Sequence, residues 1–224
     1  MWRYLTFVIG ATVAVALLTL SVPRLVASFE LLYVQGLKDL FDKKEELTLE
    51  DLKKLHEGYL TSLNWQENNL VYLDKAKIEL ALAKSDENNA LQWRENAESS
   101  LENSIQAGPS NPYAWSLLAY VRKLNAGEYG GSEQALSMAL WTGPYERRLA
   151  PFYLRFGFDL WDKISSEEQI QLINLVGWVE RNNRRALIEI AKAKPDHFVK
   201  IVNALSDDEE AMLRFVKLMN RSRR

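Results

Sequence analysis

Residues Leu5 to Val22 read LTFVIGATVAVALLTLSV, eighteen positions without a charge, preceded by Trp2, Arg3 and Tyr4 and followed by Pro23-Arg24. At 1.5 Å per residue such a helix spans roughly 27 Å, close to the hydrocarbon thickness of a bilayer at about 30 Å. The run is apolar on every face, which suits lipid better than the one-sided packing of a soluble helix. Trp2 and Tyr4 fit an interfacial aromatic belt, and Pro23-Arg24 mark the exit. A cleaved signal peptide is the alternative. It would call for a stronger basic start, a shorter apolar stretch and small residues before the cut, whereas Arg24 interrupts the possible Val26-Ala27-Ser28 site. The expectation is a single uncleaved span over residues 5–22. Positive charges flank both ends, so the charge rule sets no orientation. The four-residue tail is easily left on the cytoplasmic side, and the expected location is a bacterial inner membrane with the soluble part in the periplasm.

Composition narrows the chemistry. The chain of 224 residues is 47% apolar and 26% charged, enough for a packed core on a soluble surface. With no cysteine, disulfides, thiol catalysis, iron–sulfur clusters and Cys-ligated zinc are excluded. Two histidines, His56 and His197, exclude a multi-histidine metal site. No cofactor and no metal are expected.

Beyond the span the chain reads as successive helices. Thr48-Leu49-Glu50-Asp51 sets a cap hydroxyl three residues ahead of a carboxylate, and Leu49, Leu52, Leu55, Tyr59, Leu60 and Leu63 then form an apolar stripe. A second segment from about Glu67 carries Leu70, Leu73, Ile78 and Leu82. Ser85 or Asp86 can cap a third, with Leu91, Ala97, Leu101, Ser104 and Ile105, which Gly108-Pro109 stops. Asn111-Pro112 opens a fourth, ended at Asn125-Ala126-Gly127, and Ser132 opens a fifth. Ser165-Ser166-Glu167-Glu168 and Ser206-Asp207-Asp208-Glu209 are further start signals. No segment alternates as a strand does, so the expected class is all-α.

An offset of 35 residues aligns Gly108-Pro109 with Gly143-Pro144. It sets Ser100 on Ala135, Leu101 on Leu136, Ser104 on Ala139 and Ile105 on Leu140. This period is close to that of tetratricopeptide repeats. Trp115-Ser116-Leu117-Leu118-Ala119 matches their first-helix pattern, and Ala135, Leu136, Ala139 and Pro144 match the second. The expected architecture is an N-terminal transmembrane helix followed by a short TPR-like helical-hairpin array. Its parts are an anchor over 1–24, membrane-proximal helices over 25–64, repeats over 65–183 and capping helices over 184–224.

The runs Ala107-Gly108-Pro109-Ser110-Asn111-Pro112-Tyr113-Ala114-Trp115, Gly143-Pro144-Tyr145-Glu146 and Leu160-Trp161-Asp162-Lys163-Ile164-Ser165 carry a resemblance, as do Ala135-Leu136 and the closing Leu205-Ser206-Asp207-Asp208-Glu209. Over roughly 50–215 the chain resembles the VpsP-like polysaccharide biosynthesis proteins, membrane-anchored and TPR-like. The resemblance implies an accessory or scaffold role in bacterial exopolysaccharide synthesis or export. It brings no catalytic residue with it. In tetratricopeptide units the first helix lines the concave groove, and on this chain that places Tyr113, Ser116, Tyr120 and Lys123 on a partner-binding wall.

The usual phosphate, dinucleotide, zinc and serine-nucleophile motifs are absent, so no enzyme is expected. Glu57, Glu67 or Glu146 could serve a helical glycan-cleaving enzyme, yet nothing selects one of them. His56 and His197 read as structural. Of Trp65, Trp93, Trp115, Trp141, Trp161 and Trp178, Trp115 and Trp161 read most clearly as packing residues, with glycan stacking the alternative for such rings. Residues 25–142 hold 11 basic and 18 acidic side chains, and residues 143–224 hold 15 and 12. Arg181, Arg184 and Arg185 cluster, as do Arg221, Arg223 and Arg224, but solvated helix faces explain them and no nucleic-acid partner is expected. The expected partners are lipid through residues 5–22 and proteins of an envelope assembly: polysaccharide machinery first, with pilus, secretion or cytochrome-maturation systems as the alternative.

Overall fold

The computed structural model describes residues 2–126 and 130–221, without the side chains of Trp2, Arg3, Leu5 and Thr6. The Trp2 side chain expected at the interface, the Arg3 side chain that precedes the apolar run, the Gly127 helix end and the Arg223-Arg224 pair lie outside the described residues. Twelve α-helices and no strand are found among them. The chain divides into two compact units, the first ending at Pro109 and the second beginning at Ser110.

In the first unit, α1 (Trp2–Tyr33) is, among the described residues, the one helix long and apolar enough to cross a membrane. It does not end where the apolar run ends. Pro23 lies inside it, where the missing N–H leaves the carbonyl of the preceding turn without its helical donor. The helix continues because its next turns pack on protein: Ala27 is buried, and Val34 just beyond the C-terminus is buried as well. After α2 (Gln35–Asp42), Thr48 and Asp51 form the expected capping box and open α3 (Leu49–Trp65). Leu52, Leu55, Tyr59 and Ser62 are its buried positions. Ser62 takes the place expected of Leu63, because spacings of three and four from Leu52 keep the true 3.6-residue period. Its Oγ donates to the Ala27 carbonyl at 3.0 Å, a cross-link between α1 and α3. At Gly58 an added Cβ would lie 2.7 Å from Val34 Cγ1, so glycine lets the two helices close.

Helices α4 (Asn69–Ser85) and α5 (Ala90–Ala107) form an antiparallel hairpin joined by a 3-10 turn at Glu87–Asn89. Asn68 caps α4 through its side chain, which accepts from Leu70 N at 2.9 Å and Val71 N at 3.3 Å. The cap expected at Ser85 or Asp86 takes another form. Asp86 accepts from the side chains of Asn89 and Trp93 instead of from a backbone amide of α5. Leu73, Ile78 and Leu82 are buried, whereas Leu70 is exposed.

In the second unit α6 (Pro112–Ala126) starts at Asn111, whose side chain accepts from Tyr113 N at 3.0 Å. It pairs with α7 (Ser132–Thr142), entered through Gly131 at φ 75°, a left-handed backbone that glycine adopts without strain. Of the four residue pairs aligned by the 35-residue offset, three are buried in both helices, and Ile105 is half-buried where Leu140 is buried. Ser100, Leu101 and Ser104 are buried in the first unit, and Ala135, Leu136, Ala139 and Leu140 in the second. Small side chains bring each pair of backbones together, and the leucines fill the core.

The remaining helices are α8 (Ala150–Asp159), α9 (Ser166–Asn182), α10 (Arg184–Ala193), α11 (Pro195–Ala204) and α12 (Glu209–Arg221). The start signal at Ser165 takes the form of a capping box with Glu168 and opens α9, and Asp208 accepts from Ala211 N at 2.9 Å at the start of α12. Buried Tyr153 donates its hydroxyl to the Ala139 carbonyl at 3.3 Å, tying α8 to α7, and Phe198 stacks on Phe215. Gly157 faces Leu172 so closely that a Cβ would sit 2.4 Å from Leu172 Cδ1. Gly157→Ala is therefore expected to destabilise this unit by about 1–3 kcal/mol, as overpacked cores do, despite alanine's better helix propensity. Chemical denaturation read by tryptophan fluorescence checks it; an unchanged midpoint would mean that α8 and α9 do not pack this tightly.

Candidate functional site

The residues expected to line a binding wall fall at i, i+3, i+7 and i+10 on α6, hence on one helical face. Tyr113 donates its hydroxyl to Glu146 Oε1 at 2.9 Å. Burial and that neighbouring carboxylate both hold the phenol above its ordinary range. Glu146 is delivered by the Gly143-Pro144 turn, where a Cβ on Gly143 would meet Pro112 at 2.8 Å. Ser116 is buried, and its Oγ donates back to the Pro112 carbonyl at 2.6 Å. Lys123 reaches Asp159 Oδ2 at 3.3 Å and lies over the Phe156 ring, 5.1 Å from its centroid. Tyr120 is the most exposed of the four. Three of these side chains are thus engaged within the unit, and Tyr120 presents its surface outward.

Lys123 leads into a cluster that sequence reading did not anticipate. Asp159, at the end of α8, accepts from Lys123, from Lys194 and from His197, whose Nε2 is 3.0 Å from Oδ1. The His197 ring is buried against Phe158, at 5.5 Å between centroids. Burial alone would raise the Asp159 carboxyl. The bonds from Lys194 and His197, with the charge of Lys123, outweigh it and hold the group below its ordinary value. The first unit repeats this arrangement. Glu79 on α4 is fully buried, with His56 Nε2 at 3.0 Å, Lys75 Nζ at 2.6 Å and Ser100 Oγ at 2.7 Å. Trp93 of α5 sets its edge on the His56 ring at 5.4 Å and donates its indole N–H to Asp86 at 3.2 Å. Another carboxylate, the buried Glu180 on α9, receives Arg184 at 2.7 Å and Arg214 of α12 at 3.4 Å.

Each of these carboxylates ties helices together: α3, α4 and α5 at Glu79; α6, α8 and α11 at Asp159; α9, α10 and α12 at Glu180. Both histidines are spent on such clips. The i, i+4 spacings of Lys75 with Glu79 and of Glu180 with Arg184 were visible in the sequence, but such spacing marks exposed pairs just as well, and it carries no sign of burial. Of the acids considered for glycan cleavage, Glu57 and Glu67 are exposed, and Glu146 is bound to Tyr113. No group of three or more metal-ligating side chains occurs among the described residues. One open depression of about 440 Å³ borders Phe41, Lys44 and Lys84, and another of about 410 Å³ borders Asn182, Arg185 and Leu218.

The tryptophans divide by environment. Trp115 and Trp161 are half-buried, Trp161 against Phe158 at 6.0 Å. Trp141 stands out at 76% exposure, with Met138 exposed one turn before it, and Tyr145 is exposed beside Trp178 at 5.8 Å.

No family model matches this sequence, and a search of curated proteins found no significant match.

Proposed function

We propose that this chain is a non-enzymatic scaffold, anchored in a bacterial inner membrane by α1, that holds protein partners of exopolysaccharide synthesis or export near the bilayer through a TPR-like helical array on the periplasmic side. The observation that carries the scaffold reading is that Glu79, Asp159 and Glu180 each take up basic or hydrogen-bonding side chains from neighbouring helices, while the exposed aromatic side chains of the second unit lie on helix surfaces and turns. A general acid needs an unpaired, raised carboxyl in a cleft. Glu79 and Asp159 are instead held low and closed off. The hairpins α4–α5 and α6–α7, with small residues at aligned buried positions, support the repeat reading. The assignment to polysaccharide machinery rests on the resemblance carried by residues 107–115, 135–136, 143–146, 160–165 and 205–209.

Affinity capture of the full chain from detergent-solubilised membranes tests the proposal. The expected co-purifying proteins are glycosyltransferases, a flippase or a chain-length regulator; recovery of pilus or secretion subunits instead would move the scaffold to another machine. Trp141→Ser, at the more exposed position, is expected to reduce that recovery several-fold while shifting folding stability by less than about 0.5 kcal/mol, and Tyr120→Ser to reduce it at a cost of about 1 kcal/mol for the covered part of its ring. Equal recovery from both variants would take the contact surface away from this part of the second unit.

A further inference from the structure

The way α1 joins the first unit sets a level for its other helices. Ser62 of α3 bonds to the Ala27 carbonyl, and Gly58 lies against Val34, so α3 runs antiparallel to α1 with higher numbers toward the apolar run. Trp65 is three residues past Ser62, about 4.5 Å further along the helix. That brings it level with Arg24, just outside the charge-free stretch Leu5–Val22. The same end of the unit carries the start of α4, where Ser104 Oγ donates to the Asn69 carbonyl at 2.7 Å and Gly108 abuts Asn69. Two large apolar side chains stand free at this end of α3 and α4: Trp65 at 49% exposure and Leu70 at 57%. On α1 itself Leu25 is 57% exposed at the same level. The turn between α3 and α4 holds a single charged residue, Glu67.

Resting on the reading of α1 as a membrane span, we infer that the α3–α4 turn is a second membrane contact. Trp65 and Leu70 seat in the headgroup layer beside the point where α1 enters the bilayer. An amphipathic indole is the side chain favoured at that depth, and burying Leu70 removes apolar area from water. The continuous helix supplies the geometry: a rigid connection through Ala27 and Ser62 fixes the height of Trp65 above the membrane, where a flexible linker would not. The first unit then stands on two points and keeps one orientation to the bilayer.

The cysteine-free chain suits a depth measurement. Single variants Trp65→Cys, Leu70→Cys, Val13→Cys and Glu87→Cys of the full chain are labelled with an environment-sensitive nitrobenzoxadiazole. They are placed in phosphatidylcholine–phosphatidylglycerol vesicles carrying nitroxide lipids, shallow or deep. Glu87 lies at the far end of the α4–α5 hairpin, roughly 25 Å away by the length of α4. Labels at 65 and 70 are expected to be quenched several-fold more by the shallow nitroxide than a label at 87, while a label at 13 answers to the deep one. If 13 is quenched and both 65 and 70 behave like 87, the second contact is overturned and the anchor stands. Failure of 13 to respond to either lipid overturns the anchor and this contact with it. Efficient disulfide cross-linking between two copies of the Trp65→Cys variant, with the label at 65 shielded from both nitroxides, overturns the lipid contact in favour of self-association.

Discussion

Replacing Val13 and Leu17 together by aspartate is expected to release the chain from membranes. Both side chains lie in the middle of the apolar run and are more than half exposed on α1. A membrane-centre aspartate costs about 2.5 to 3.5 kcal/mol, and each loses the modest gain of the aliphatic side chain it replaces. The two substitutions therefore oppose insertion by about 6 to 8 kcal/mol in total, enough to shift the partition by roughly four to six orders of magnitude. Carbonate extraction of membranes followed by fractionation reads the result directly: wild-type chain in the pellet, the double variant in the supernatant. A double variant that stays in the pellet would mean that something other than this helix holds the protein to the bilayer. Circular dichroism of the released variant separates loss of insertion from loss of fold, because α1 packs on α3 only from about Ala27 onward and the substituted positions lie well before that.

The second large effect centres on Glu79. Lys75→Met removes the cation 2.6 Å from a fully buried carboxylate and leaves His56 and Ser100 to satisfy it. Breaking one side of a buried pair costs about 3–5 kcal/mol, mostly as the penalty of the charge left behind. The paired variant Lys75→Met with Glu79→Gln is expected to recover most of this loss, since no buried charge then lacks its partner. Urea unfolding of each in detergent micelles gives the comparison; equal losses in the single and the paired variants would refute a charge-based origin. The pH dependence has a definite sign. Burial pushes Glu79 up, but His56, Lys75 and Ser100 together bring its carboxyl below the usual 4.5. A folded value below the unfolded one contributes stability that is fully present above about pH 4.5 and is lost as the pH falls through the folded value. Asp159 is also held low and adds in the same direction below its ordinary 3.8. Without Lys75 the carboxyl loses one of the partners that hold it low, so its folded value rises and the acid unfolding midpoint is expected to move up.

Both experiments act on features of different legibility. The apolar run was readable because eighteen successive residues carry the signal, and the same holds for the two Ser/Thr capping boxes, where the donor and acceptor are three residues apart. The class all-α followed from these and from the 3.6-residue stripes. The continuation of α1 through Pro23 was not readable. Proline and arginine after an apolar stretch look like an ending, and only the burial of Ala27 and Val34 against α3 overrides that. The i, i+3, i+7, i+10 spacing of the four α6 residues was readable, but the pairing of Tyr113 with Glu146 and of Lys123 with Asp159 depends on residues 33 and 36 positions away.

What the linear order of residues determined is what local physics decides: one stretch suited to lipid, the helical class, the sites where most helices begin, and small residues where backbones approach. What the tertiary structure alone decided is which charges leave water. Glu79, Asp159 and Glu180 resemble the chain's many solvated acids until three helices close around each. The cost of burying a charge is settled by partners 21 to 38 residues distant, whose proximity is a property of the packed fold.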